Sequence, residues 1–381
     1  MSLTQGNFAR TLINGYELSA DMMTLAHIHK FMANPVMAQN VGVAQFAVGA
    51  FAPTATFAGY RRGPQNAITA HNILSPAGIG NANDTEFVLT TLLGSNAAPM
   101  AGDVALLLNG TLLQYDGTLA PNDVLKFGAQ FQARGKRAPL GNLIVDSSNV
   151  AGTITSAPFD RGAAAAAGTS LGAVAHLQVY TPAGTQASGS ITLASNPADG
   201  DTLTVNGTLY TFKNTISATG HIKIGATAAI TASNLFQAMI GSVTGAGSAY
   251  FAGTTRIPSA AITVAAPNAS NVIALTAVIF GTAGNAYTLA KTGSAVTLSG
   301  ATFASGTNGD TYTITLASAT TSGGSYTVHA TFAANGTGYV GERQEIAPGT
   351  LINRWLKVIA SSSGSTSKLG FAVAVGCYWQ S

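Results

Sequence analysis

Charge is what this chain has least of. Only 8% of its 381 residues are Asp, Glu, Lys or Arg, with 17 bases against 14 acids and a formal net charge of +3. Ordinary soluble domains carry about 25%. A surface so poor in charge is expected to be covered largely by neighbouring subunits, because interface cores are depleted of Lys, Glu and Asp. The small, scattered positive excess gives no basis for nucleic-acid affinity. Intrinsic disorder is excluded on the same figures, since it needs low hydrophobicity and high net charge, and here 46% of residues are hydrophobic. The composition reads as that of a self-associating structural protein.

Cysteine is nearly absent too. Cys377 stands alone, which excludes an intramolecular disulfide and a cysteine-based zinc site. The opening "MSLTQGNFARTLINGYEL" has no cationic head before an apolar core, so no secretory signal is expected. Long unbroken apolar runs are also missing. Residues 36–60 and 257–290 carry no charge, but Pro, Gly, Asn and Thr interrupt both. A membrane helix needs about 20 predominantly apolar residues. Alternation in "AQFAVGAF" and "SNVIALTAVIF" points to strands instead. Nor does any G-x-S-x-G, P-loop or H-E-x-x-H pattern occur.

What is present is alternation punctuated by turns. "NPADGDTLTVNGTLYTF" sets Asn206-Gly207 between β-forming runs, the strongest short signal for a type I′ hairpin, since both central residues need positive φ. "VALLLNGTLLQY" repeats the Asn-Gly-Thr triplet, and turns are expected at Asn109-Gly110, Asp116-Gly117 and Pro121-Asn122. "GPQNAITAHNIL" predicts a helix with Pro64 in its first turn and Ile68 beside Ile73 or Leu74 on one face. The five alanines of "RGAAAAAGTS" lie between Gly162 and Gly168 and read as a loop. "LGAVAHLQVYTPAG" is a strand ending at Pro182.

From about Gln186 to Asn308 the texture changes. The acids there are Asp199 and Asp201, and the bases are Lys213, Lys223, Arg256 and Lys291. "GATAAITASNLFQAMIGS" predicts a helix capped by Thr227, ended by Gly241, with Ile230, Leu235, Phe236, Met239 and Ile240 as its apolar stripe. Strand-like runs follow in "SAAITVAA", "NVIALTAVIF" and "AYTLAKTG". Strands at 174–180 and 311–317 are expected to form a hairpin whose loop this segment fills. "LINRWLKVIASSSGSTSKLGFAVAVGCYW" is expected to close the chain as another hairpin.

Candidate chemistry is sparse. His27 and His29 form an H-x-H pair that suits one face of a metal site, but no third ligand lies near in sequence. His176 and His329 fall within strands, where satisfied or interfacial roles are expected. Asp199 and Asp201 in "ADGD" lack the further acids of a calcium loop. Asn-x-Thr sequons at Asn83, Asn109, Asn206 and Asn335 mean little without secretion. Arg134, Lys136 and Arg137 in "ARGKR" read as a solvated or inter-subunit patch rather than a phosphate site. No catalytic residue, cofactor site or metal site is assigned, and the expectation is a protein that is not an enzyme and needs no cofactor.

Four stretches resemble a known family: "INGYELSADM", "GDVALLLNGTLLQYDGTLAPNDVLKFGAQFQARG", "SLGAVAHLQVY" and "ERQEIAPGTLINRWLKVIASSSGSTSKLGFAVAVG". They look like the major tail tube proteins of long, non-contractile-tailed bacteriophages. The segment from "SITLASNPADGDTLTVNGTLYTFKN" onward is similar to a small domain recurring in phage virion proteins. The resemblance implies a mainly β fold: a tail-tube-type antiparallel β-sandwich or barrel with a flanking helix, plus an inserted small β domain with one helix. It implies a tube module in two parts, residues 1–185 and 309–381, around an inserted decoration domain at 186–308. Hexameric rings stacked into a tube that conducts double-stranded DNA would follow, assembled in the host cytoplasm and resident in the virion tail. Implied partners are further copies of the chain, the tape measure, tail terminator and distal tail proteins, DNA in transient passage, and host-surface glycans for the inserted domain. A carbohydrate- or cell-surface-binding adhesin or fibre is the competing class, for which clustered exposed aromatics are the discriminating feature.

Overall fold

The computed structural model describes residues 8–19, 22–28, 31–36, 45–51, 54–60, 73–74, 86–94, 99–118, 126–133, 140–162, 172–253, 261–365 and 368–377. The chain is mainly β and almost wholly antiparallel. Its first strands are β1 (Phe8–Ile13), β2 (Tyr16–Glu17), β3 (Met22–Ile28), β4 (Phe31–Val36), β5 (Gln45–Phe51), β6 (Thr54–Tyr60), β7 (Glu86–Gly94), β8 (Val104–Thr118), β9 (Lys126–Ala133) and β10 (Leu140–Ala151). Then come β11 (Ile154–Thr155), β12 (Phe159–Asp160), β13 (Ala173–Thr181), β14 (Gln186–Leu193), β15 (Thr202–Val205), β16 (Thr208–Lys213) and β17 (His221–Lys223). Helix α1 (Ala228–Ile240) precedes β18 (Ile262–Val264), β19 (Val272–Phe280), β20 (Leu289–Lys291), β21 (Val296–Leu298), β22 (Tyr312–Ala319), β23 (Thr327–Phe332), β24 (Val340–Ile346), β25 (Trp355–Ser362) and β26 (Lys368–Cys377).

An eleven-stranded sheet runs β2-β1-β7-β8-β10-β26-β13-β24, with β9, β6 and β3 branching from β8. It curls until its far strands meet its near ones. Gly15, in the turn after β1, donates its N–H to Gln178 Oε1 on β13 at 2.7 Å. Inside the curl lie Leu12, Leu92, Ala105, Leu107, Leu143, Val174, Ala372 and Ala374. On the outside of β10, β26 and β13 a five-stranded sheet of β11, β12, β25, β22 and β23 packs as the second layer of a sandwich. Leu316, Ile314, Leu356 and Val358 meet Leu177, Val179, Phe371 and Val373 there, all fully or almost fully buried. At about 25 cal/mol per Å² of apolar area, these side chains supply most of the local driving force.

Two expected hairpins do not form. β13 pairs with β26 and β24, whereas β22 pairs with β23 and β25, so the strands on either side of residues 186–308 belong to different layers. β25 and β26 are likewise split between the layers. Both faces of β26 are buried because the sheet curls around it, so its pattern carries no sign of its partner. The turns expected at Asn109-Gly110 and Asp116-Gly117 are absent as well: β8 runs unbroken through both. Gly110 is flanked by Phe87 on one side and Ala133 on the other, and a Cβ there would collide with the Gln132 carbonyl. It permits a close approach of strands, not a change of direction.

The segment between Thr185 and Thr307 has its own core. Two four-stranded sheets, β18-β19-β14-β21 and β17-β16-β15-β20, enclose Tyr210, Phe212, Leu235, Met239, Ile273 and Phe303, and every buried member of this cluster lies between residues 187 and 303. Here the local signals hold. Asn206 (φ 44°) and Gly207 (φ 82°) both take positive φ in the β15–β16 turn. Thr227 caps α1 by accepting from the Ile230 N–H, and Gly241 ends it in the left-handed region. Ile230 of the expected stripe is nevertheless 48% exposed. The helix expected at 63–74 lies outside the described residues except for Ile73 and Leu74, which are helical; the Pro121-Asn122 turn and the alanine run lie outside them entirely.

Candidate assembly surface

Past Thr111, β8 extends beyond its partner β7. Residues 112–118 pair only with β9 among the described residues; β9 pairs β6, and β6 pairs β3. The result is a four-stranded antiparallel arm in the order β8-β9-β6-β3. The sheet forks at this point, because the first part of β8 pairs with β10 on the same side from which β9 departs.

Strand alternation gives the arm two different faces. On one, Ala55, Phe57, Phe127, Ala129 and Phe131 are buried against Ile13, Leu18, Leu74, Phe87 and Leu108 of the body. Phe131 anchors this contact, with ring centroids 5.0 Å from Phe57 and 5.5 Å from Phe87 in an edge-on arrangement. The opposite face is polar but almost uncharged. Thr54 pairs across from Gln132, Thr56 from Gln130, and Gln130 in turn from Gln114. Asp116 and Lys126 are the charged residues at this face's far end, and Gln114 donates to Asp116 Oδ2 at 2.6 Å. A bulge at Leu113 leaves that side chain 59% exposed.

Both lateral edges of the arm are open among the described residues: β3 pairs only with β6, and residues 112–118 of β8 only with β9. Beyond β3 and β6 the same two chain segments continue as β4 and β5, which among the described residues pair only with each other. No charged residue occurs from Phe31 to Tyr60. An isolated two-stranded sheet is marginal in water, and open edges template further strands.

Elsewhere the charged and histidine side chains are engaged mostly by neighbours within the fold. Arg10 Nη1 holds both carboxylate oxygens of Asp146 at 3.0 and 2.8 Å and Arg10 Nη2 reaches Glu17 at 2.9 Å, while the guanidinium carbon sits 3.9 Å from the centroid of the Tyr180 ring. Burial, then the Asp146 charge, push the Tyr180 hydroxyl well above its ordinary range. His176 is enclosed, 3.2 Å from Thr90 Oγ1, and burial followed by the nearby Arg343 charge lowers it to about 3. His329 Nε2 lies 2.6 Å from Ser318 Oγ, a pairing of hydroxyl and base that sequence inspection missed because the two sit on neighbouring strands. Ser318 Oγ also accepts the Asn353 N–H, and Ser318 is fully buried, so no substrate carbonyl can reach it.

Asp199 holds Lys213 and the Asn214 N–H, and Asp201 accepts from the Ala198 N–H, which is turn chemistry. No group of three His, Cys, Asp or Glu that could hold a metal occurs among the described residues. His27 lies on β3, while His29, Asn83 and the Arg134, Lys136, Arg137 cluster lie outside the described residues. Among the described residues no helix is long and apolar enough to cross a membrane.

No protein-family model and no curated protein matches the chain. Among solved structures, partial likeness extends to the SPP1 tail tube determined by solid-state NMR and cryo EM, with TM-score 0.27, 10% identity, and coverage of 36% of this chain and 78% of that one. A chain of the native gene transfer agent virion gives TM-score 0.20 at 14% identity, over 35% of this chain and 94% of that one. The SPP1 Dit protein, described as a hub of the adsorption apparatus, gives TM-score 0.23 at 10% identity over 49% and 70%.

Proposed function

We propose that this chain is the structural subunit of a virion tail tube: rings of six copies stack into a conduit for double-stranded DNA. The observation that carries the reading is the four-stranded arm with two open edges. Its strand number is even and every pairing is antiparallel, so β3 and β8 run in opposite directions. Copies related by rotation about one axis then place β3 of one beside β8 of the next in antiparallel register, and the sheet continues without a break. Closure into a barrel removes both edges, as a chain so poor in charge requires. The interface is heterologous, which generates a ring when the rotation closes. The β4–β5 extension, a charge-free hairpin that pairs with no other described strand, is the element that reaches an adjacent ring.

Residues 1–185 and 309–381 form the tube module on this reading, and 186–308 a decoration domain on the outer wall. The separate core between residues 187 and 303 supports that division. The role is mechanical, with no catalytic centre, and assembly takes place in the host cytoplasm with tape measure, terminator and distal tail proteins as partners. Electron micrographs of the purified protein test it. Rings and tubes with six-fold end views are expected; a compact monomer at every concentration and salt, in the presence of the chain's own tail initiator complex, overturns it.

A further inference from the structure

The two faces of the arm differ in a way that bears on what moves past them. Resting on the tube reading above, we infer that the Gln/Thr face of the arm lines the lumen and presents DNA with an electrically neutral, hydroxyl- and amide-rich wall. The body occupies the other face through Phe57, Phe127 and Phe131. When arms join edge to edge, six bodies cannot fit inside the ring they close, so they sit outside and the uncovered face turns inward. Among the described residues that face exposes Thr56, Gln114, Gln130 and Gln132, with Asp116 as its acid and Lys126 as its base.

Neutrality here has a mechanical meaning. Each Lys or Arg that neutralises a phosphate releases counterions and adds about 0.9 to the slope of log affinity against log salt, so a cationic wall grips the duplex. An acidic wall repels it and raises the work of filling the tube. Amides and hydroxyls keep a layer of exchangeable water between wall and phosphates, and water-mediated contacts form and break without ion exchange. The duplex then slides on a hydrated surface whose drag is nearly independent of ionic strength.

The test uses assembled tubes of the full chain in three arms, with electron microscopy confirming tubes in each. Thr56→Cys in a Cys377→Ser background is probed with a small thiol reagent and with one too large to enter the bore. Labelling by the small reagent alone is expected; labelling by the large one places the face outside and overturns the inference while leaving the tube reading intact. Retention of short duplex DNA by wild-type tubes is expected to show a salt slope near zero. Gln130→Lys with Gln132→Lys is expected to produce salt-dependent retention, with a slope of about two per engaged subunit. A steep slope in the wild type, or no change in the lysine variant, overturns the neutral-wall assignment. Failure of the wild type to form tubes at all counts against the tube reading instead.

Discussion

His176 Nδ1 on β13 stands 3.2 Å from Thr90 Oγ1 on β7, although the two strands share no ladder, and both residues are about 1% exposed. Gln178 repeats the link, donating to Val88 O at 2.8 Å and to Thr90 Oγ1 at 3.0 Å. The curl of the large sheet is therefore closed by side chains where backbone pairing ends. Each link lies in a low-dielectric interior, where an unpaired polar group is costly.

This closure makes the body acid-sensitive. Burial and Arg343 hold His176 at about 3, against 6.5 for the free side chain. Between those values the unfolded chain binds the extra proton, so stability falls as pH drops from 6.5 toward 3 and is unaffected by this group above 6.5. Urea unfolding of wild type and His176→Leu across pH 7 to 3 checks the sign. The variant is expected to be less stable at pH 7 and to lose stability less steeply on acidification; parallel curves count against the assignment. Thr90 keeps its Gln178 partner in the variant, so folding is expected to survive.

Gly110 and Gly207 occupy the same Asn-Gly-Thr triplet and should respond differently to alanine. Gly207 (φ 82°) has nothing within 4 Å of a new Cβ, so the cost is backbone strain of about 1 kcal/mol, confined to the core between residues 187 and 303. At Gly110 a Cβ meets the Gln132 carbonyl and Leu108 Cδ2, which forces β8 and β9 apart and costs about 2–3 kcal/mol. Denaturation midpoints measure both. Tube assembly is expected to fail or weaken for Gly110→Ala only.

Arg10→Met removes the cation from the cluster that joins β1, β2, β10 and β13. Asp146, with its side chain 9% exposed, keeps only Tyr180 Oη at 2.5 Å among the contacts described here. Losing one partner of a largely buried pair costs about 3 kcal/mol or more. A double-mutant cycle with Asp146→Asn reads the coupling. A coupling near zero would show that water replaces the guanidinium freely.

Replacing residues 186–308 with a short Gly-Ser linker is expected to leave a module that folds and still builds tubes. The ends of the segment already touch: Thr185 N–H donates to Thr307 O at 2.9 Å, and the two hydroxyls lie 2.9 Å apart. Tyr339, stacked on Tyr16 at 4.7 Å, loses its edge contact with Phe280 at 5.4 Å on excision, so a small drop in melting temperature is the expected side effect. A folded but non-assembling product would place the segment in the ring contacts.

The sequence by itself determined whatever depends on a few adjacent residues. The Asn206-Gly207 turn, the Thr227 cap and the Gly241 stop were all legible, because φ preference and capping act within a turn of chain. So was the strand-rich character, through period-two alternation. Tertiary structure alone decided which strands are neighbours. Asn109-Gly110 has the same letters as Asn206-Gly207, yet it lies mid-strand because β7 and β9 flank it on both sides. β13 and β22, and likewise β25 and β26, separate into two layers because the alternation that marks a buried face is satisfied equally by any apolar partner. The Ser318–His329 contact and the fork that frees the arm were out of reach for the same reason. Turn chemistry is short-ranged and written in residue types; strand pairing is a competition among distant surfaces, settled only when the whole chain has closed around its cores.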